Sequence, residues 1–213
     1  MDPTRAMARR ILREYGETYA HEAGIRLRDT PAPLYQLLVL CVLLSAPIRA
    51  RTAVAAAREL FADGLRTPRR MADSDRRQRV AALGRAHYRR YDESTATALG
   101  DGARLLLERR HGDLRTLRDE AGGDPARVRE LLQEVPRIGA TGADIFCREA
   151  QAVWPELRPF ADARVREAAA GVGLPHTARA LAGLVRPGEF ARFADGLVRI
   201  GLTPDAADRL RAA

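Results

Sequence analysis

The sequence predicts an all-α protein of two helical lobes, and three observations carry that prediction. Aspartate or threonine followed by proline recurs at Asp2-Pro3, Thr67-Pro68, Asp124-Pro125 and Thr203-Pro204, each pair reading as a helix N-cap with a first-turn proline. Gly64, Gly84, Gly112, Gly122 and Gly201 stand where helix stops are expected. No stretch alternates apolar and polar residues as a half-buried strand would, and β-branched residues are thinly spread.

Taken in order, the first helix is expected over 3–15, and a looser stretch with Gly16, Gly24, Pro31 and Pro33 leads into a second over 33–45. That second helix is apolar nearly all round, so it should be the central buried one. An Ala-rich amphipathic helix over 50–62 follows, then a short one over 69–72 and another over 74–83. Residues 84–92 form a basic loop with interleaved aromatics. A long helix over 93–110 carries Gly100 and Gly102, which should weaken it. Helices over 114–120, 125–134, 140–154, 163–170, 177–185, 189–200 and 204–212 complete the chain. The expected organisation is discontinuous: a central lobe over 33–130, a second lobe from 1–32 plus 155–213, and a helical hairpin over 125–154 between them.

Length and composition set the class. The chain has 213 residues, enough for one or two domains with a real core, and 46% of them are hydrophobic, which excludes a disordered chain. The formal charge is +8 and the sequence pI about 10.5, a balance that favours a polyanionic partner. Every basic residue is arginine, so no side-chain amine exists to form a Schiff base. Cys41 and Cys147 sit in apolar helical settings and read as buried hydrophobes. The four histidines show no metal spacing, and neither a metal nor a cofactor is expected. No signal peptide is evident, and the apolar run 34–44 is too short to span a bilayer, so a cytoplasmic monomer away from membranes is expected.

The stretch Leu131 to Ala143 is the most informative. A helix ends near Glu134, because the residue before Pro136 is pushed out of the helical region. Gly139 is expected to take the positive φ of a tight turn. The next helix then starts at once, with backbone N–H groups unpaired from Gly139 to Gly142, which makes a phosphate site. This is the pattern of a helix-hairpin-helix, a module that holds a DNA backbone without reading sequence. The plain alternative is an ordinary αα-hairpin with a Pro/Gly turn.

Three landmarks resemble the endonuclease III superfamily of helix-hairpin-helix DNA glycosylases. The run from Leu34 to Ala46 is similar to the family's buried helix ending in Leu-Leu-Ser-Ala. Val135-Pro136-Arg137-Ile138-Gly139-Ala140-Thr141-Gly142-Ala143 is similar to the family hairpin Leu-Pro-Gly-Val-Gly-x-Lys-Thr-Ala. Ala161-Asp162-Ala163-Arg164-Val165-Arg166 is similar to Val-Asp-Thr-His-Ile-x-Arg, which holds the catalytic aspartate. Phe193 to Gly201 is a weaker echo of the penultimate helix, and the resemblance covers roughly residues 30 to 202.

The resemblance implies a monofunctional glycosylase that hydrolyses the N-glycosidic bond of a damaged or mismatched base in double-stranded DNA. Asp162 would stabilise the oxocarbenium-like transition state or orient the attacking water; its plain alternative is a helix N-cap. Thr141 stands where bifunctional members hold the Schiff-base lysine, which implies no β-lyase activity. Arg137 replaces the first hairpin glycine, implying a distorted turn or an added phosphate contact. Pro47 follows Leu-Leu-Ser-Ala, where relatives probe the DNA stack, and with Ile48 it would form an apolar wedge. The loop residues His87, Tyr88 and Tyr91 are further candidates for opening the duplex, or else the loop is a solvated basic turn whose tyrosines pack back on the core. Arg89, Arg90, Arg137 and the backbone of Gly139, Thr141 and Gly142 would contact phosphate. The family's four-cysteine iron–sulfur loop is missing from this sequence. Two other readings stay open: a non-catalytic helix-hairpin-helix DNA-binding protein, and an all-α interaction protein without a DNA role.

Overall fold

The computed structural model describes residues 2–212, and those residues are all-α, with no strand among them. In chain order the helices are α1 (Pro3–Tyr15), α2 (Tyr19–Glu22), α3 (Pro31–Leu44), α4 (Ala50–Ala62) and α5 (Pro68–Asp73). Next come α6 (Arg76–Arg85), α7 (Asp92–Arg110), α8 (Arg115–Glu120), α9 (Pro125–Leu132) and α10 (Ala140–Ala150). The series ends with α11 (Ala163–Gly171), α12 (Ala178–Ala182), α13 (Phe190–Leu202) and α14 (Ala206–Arg211). Among the described residues no helix is long and apolar enough to cross a membrane.

The chain forms two compact units. A terminal unit combines residues 1–19 with 148–213, and a central unit spans 20–147. Residues 20–32 therefore fall with the central unit, as does the turn between α9 and α10. In the central unit α3 is buried on nearly every face, from Leu34 to Leu43, because its sequence offers no polar stripe to solvent. It packs on α4, α4 on α6, and both α5 and α6 on α7. In the terminal unit α13 is the centre, packed against α1, α11 and α14. Gly196 allows that packing, since a Cβ there would lie 3.1 Å from Ile11 Cγ2.

Several elements differ from the sequence expectation for identifiable reasons. α3 starts at Pro31, behind an extended Thr30, so the Thr-Pro signal operates there too. α7 runs unbroken through Gly100 and Gly102. The buried Arg79 guanidinium lies against Gly100, where a Cβ would come within 2.7 Å of Nη2, and Val135 lies against Gly102. Arg79 donates to Ala96 O (2.7 Å), Met71 O (3.0 Å) and Ser74 O (2.7 Å), fastening the end of α5 to α7. Gly84 and Gly201 do not stop helices: Gly84 lies inside α6 and Gly201 inside α13. The left-handed residues after those helices are His87 (φ 58°) and Asp205 (φ 60°), and Pro204 precedes α14 rather than opening it.

Candidate nucleic-acid interface

The turn between α9 and α10 is built by two buried side chains with an exposed one between them. Val135 and Ile138 point into the core, and the Ile138 N–H closes the turn on Val135 O at 3.0 Å. That geometry puts Arg137 at φ 66°. A left-handed conformation costs a residue with a Cβ about 1–2 kcal/mol, which the burial of its two neighbours offsets. Gly139, expected to be the left-handed residue, is not one, and a Cβ there would meet nothing. The turn places its strain one residue after Pro136, and this chain bears it with arginine rather than glycine.

α10 then begins. Its first internal bond runs from Ala143 N–H to Gly139 O at 3.0 Å. The amides of Ala140 and Thr141, both exposed, meet no acceptor among the described residues, and the first turn holds no acidic residue. The positive end of the α10 dipole is left uncompensated. An Arg129–Asp144 ion pair at 2.6 Å braces α9 against α10.

Two segments of the central unit pack beside this turn. On one side Ser45, at the end of α3, lies so close to Gly142 that a Cβ on Gly142 would come 2.7 Å from Ser45 Oγ. Gly142 is buried, so it serves close approach rather than ligand contact. Beyond Ser45 the chain exposes Pro47 and half-buries Ile48. On the other side, Thr95 Oγ1 lies 3.4 Å from Arg137 Nη1 and 3.3 Å from Tyr88 Oη. α6 ends with His87 left-handed and the Tyr88 N–H on Leu83 O at 3.0 Å, a cap that folds Tyr88 inward. Tyr88, expected on the contact surface, is therefore core, only 1% exposed, with burial pushing its hydroxyl pKa up. His87, Arg89 and Arg90 stay exposed. Tyr91 is half-buried with the Arg90 guanidinium 5.4 Å from its ring centroid. Among the described residues Arg89, Arg90 and Arg137 meet no carboxylate, whereas Arg85 pairs with Glu59 and Asp63, Arg109 with Glu134, and Arg127 with Glu120 and Glu130.

Asp162 belongs to the terminal unit, where both of its oxygens are engaged. It is the N-cap of α11, with Oδ1 accepting from Val165 N–H at 3.0 Å, and Oδ2 accepts from Arg148 Nη1. Arg148 Nε also donates to Asp195 Oδ1 at 2.6 Å, and Asp195 Oδ2 accepts from Tyr19 N–H at 3.2 Å. The three side chains are 2%, 4% and 0% exposed for Arg148, Asp162 and Asp195. Burial works against the charge on Arg148, but Asp195 first and Asp162 next outweigh it and raise its pKa. Gln151 holds the approach to Asp162, donating to Arg148 O and Phe160 O and accepting from Phe160 N–H.

Arg148, Asp195 and Gln151 were not singled out from the sequence. Their signal was partial: an arginine beside Ile145, Phe146 and Cys147 of α10 and an aspartate between apolar residues of α13, opposite charges that burial tolerates only when paired. Among the described residues no group of three His, Cys, Asp or Glu is placed to hold a metal ion. No family model matches the sequence, and no curated protein shows detectable similarity to it.

Proposed function

We propose that the protein holds duplex DNA by its backbone, without reading sequence, through the turn between α9 and α10, and that Asp162 serves the fold rather than base excision. One observation carries the reading. Among the described residues the amides of Ala140 and Thr141 at the start of α10 meet no acceptor and stand next in the chain to the Arg137 turn, which shares Thr95 with Tyr88 of the loop bearing Arg89 and Arg90, and none of the three arginines meets a carboxylate. Amides with a helix dipole behind them suit phosphate, and unpaired guanidinium groups suit it further. Neither distinguishes one base from another. The +8 charge is in keeping with such a partner.

The glycosylase reading needs a carboxylate presented to an extruded nucleoside. Asp162 has a hydrogen bond on each oxygen and a side chain only 4% exposed, which supports the non-excising alternative. Two measurements test the proposal. Binding to an undamaged duplex should weaken steeply with salt, with a log–log slope of about −3 or steeper for three or more phosphate contacts; a flat response overturns it. A panel of lesion-bearing duplexes, heated in alkali after incubation, should yield no cleaved product. Base release that disappears in Asp162→Asn would instead return the protein to the monofunctional glycosylases.

A further inference from the structure

We infer that Thr95 is a positioning residue of the candidate interface: its buried hydroxyl holds the Arg137 guanidinium ready for a backbone phosphate without cancelling its charge. The inference rests on the DNA-backbone reading above and adds to it the group that orients the arginine of the turn. Thr95 is 0% exposed and stands in the first turn of α7, its N–H on Tyr91 O at 2.9 Å. Its Oγ1 accepts from Arg137 Nη1 at 3.4 Å and lies 3.3 Å from Oη of the buried Tyr88. Burial pushes the Tyr88 hydroxyl pKa up, and the Thr95 hydrogen bond and the charge of Arg137 both pull against that rise. The guanidinium and the two hydroxyls therefore act on one another.

Exposure alone does not mark Arg137, since Arg28 and Arg77 of the same unit are exposed too. What marks it is an anchor at both ends. Its backbone is held by the turn that Ile138 N–H closes on Val135 O, and its guanidinium reaches back to a buried hydroxyl. A side chain held in this way has less rotamer freedom to lose when it meets a ligand. The kind of anchor matters as well. A carboxylate would also orient the guanidinium but would neutralise it, as Glu59 and Asp63 do for Arg85. A threonine hydroxyl is neutral and leaves the charge to act on an anion. A guanidinium has five N–H donors in a planar fork, so a bond from Nη1 to Thr95 leaves donors for a phosphate.

The test is a double-mutant cycle on binding of the full-length protein to an undamaged duplex across a salt series. It compares wild type with Thr95→Val, Thr95→Ser, Arg137→Gln and Thr95→Val/Arg137→Gln, each checked for folding by circular dichroism and thermal melting. Arg137→Gln should lower the log–log slope by about 1 and weaken binding about eightfold at 0.1 M salt, with the curves converging near 1 M. Thr95→Val keeps the charge, so it should keep the slope and weaken binding about fivefold, in line with ordering one rotamer-rich side chain. Thr95→Ser, which keeps the hydroxyl, should restore the affinity. In the Arg137→Gln background Thr95→Val should change affinity by less than about twofold. Should Thr95→Val fail to fold, Tyr88→Phe, which removes the second hydroxyl and frees Thr95 to turn away, is read by the same cycle. Equal weakening in both backgrounds would make Thr95 a merely structural residue and overturn the inference. If Thr95→Val leaves affinity intact while Arg137→Gln lowers the slope, the inference falls and the DNA-backbone reading stands. If wild type shows no salt-dependent binding, both fall.

Discussion

Arg148→Met tests the assignment of Asp162 to the fold most directly. The substitution keeps an unbranched stem of similar bulk and removes the one cation shared by Asp162 and Asp195. Removing one partner of a buried ion pair costs about 3–5 kcal/mol, because a charge is left in low dielectric without compensation. Here two carboxylates are stranded, which raises the cost, but each keeps a backbone donor, Val165 N–H or Tyr19 N–H, which lowers it. A loss of about 4 kcal/mol is expected. With a urea dependence of about 2 kcal/mol per molar, the midpoint of unfolding followed by far-UV circular dichroism should fall by about 2 M at pH 7. The triple variant Arg148→Met/Asp162→Asn/Asp195→Asn removes the guanidinium and both stranded carboxylates, leaving buried Glu149 as the nearby charge, and should recover more than half of the loss. A midpoint shift below about 0.5 M for the single variant would mean that the guanidinium is not committed to the two aspartates, and Asp162 would again be free to act chemically.

Three further outcomes follow from local geometry. Gly142→Ala should cost about 1–3 kcal/mol, because Ser45 Oγ is pinned by its 2.6 Å bond to Cys41 O and cannot easily withdraw. Gly139→Ala should stay within about 0.5 kcal/mol of wild type. Adding Ser45→Ala to Gly142→Ala should show a coupling of about 1 kcal/mol in a double-mutant cycle, and additivity would contradict the close approach. Tyr35→Phe removes a buried hydroxyl that meets no hydrogen-bond partner among the described residues and should raise stability by about 1 kcal/mol, read from the same urea titration; a loss of 1 kcal/mol would show that the hydroxyl is satisfied in solution. Cys41 and Cys147 are both fully buried, and burial with neighbouring Asp144 pushes the Cys147 thiol up to about 12. Neither should react with a disulfide reagent at pH 8 in the native protein, and both should react in urea; fast native labelling would place a cysteine at the surface.

Much of the fold was legible because helix ends carry strong local chemistry. α1 and α4 begin and end where the sequence places them, the first behind Asp2 accepting from Thr4 N–H and the second before a left-handed Gly64. What could not be read was the outcome of competition between local preference and packing. Gly100 and Gly102 argue locally for a break in α7, yet they are the sites where Arg79 and Val135 come closest, so tertiary contact holds the helix together. Likewise α6 passes Gly84 and stops at His87. A left-handed histidine costs only about 1–2 kcal/mol, less than the gain from carrying Tyr88 into the core. The same weighing turned Tyr88 from an expected DNA contact into a structural residue. The hairpin's boundary signals were clear in Pro136 and Gly139, but which residue would bear the strained φ depended on the burial of Val135 and Ile138.

The ambiguity at Asp162 is of a different kind. A helix-capping aspartate and a catalytic aspartate at the head of a helix have the same letter in the same place, so order and spacing cannot separate them. What favours the capping role is Arg148, fourteen positions upstream on α10, together with Asp195 on α13. A buried charge demands a partner, and Arg148 and Asp195 are both buried within reach of Asp162. Once the three meet, withdrawing Asp162 to present it to a substrate means breaking a buried pair at about 4 kcal/mol. At 1.4 kcal/mol per tenfold, a conformer with a free carboxylate would be populated at about one part in a thousand. Activity that depends on such a conformer is reduced by the same fraction. Even a chemically competent Asp162 would therefore act about a thousandfold below its intrinsic rate. Base release near the intrinsic rate would accordingly require the Arg148 pairing to be absent when DNA is bound.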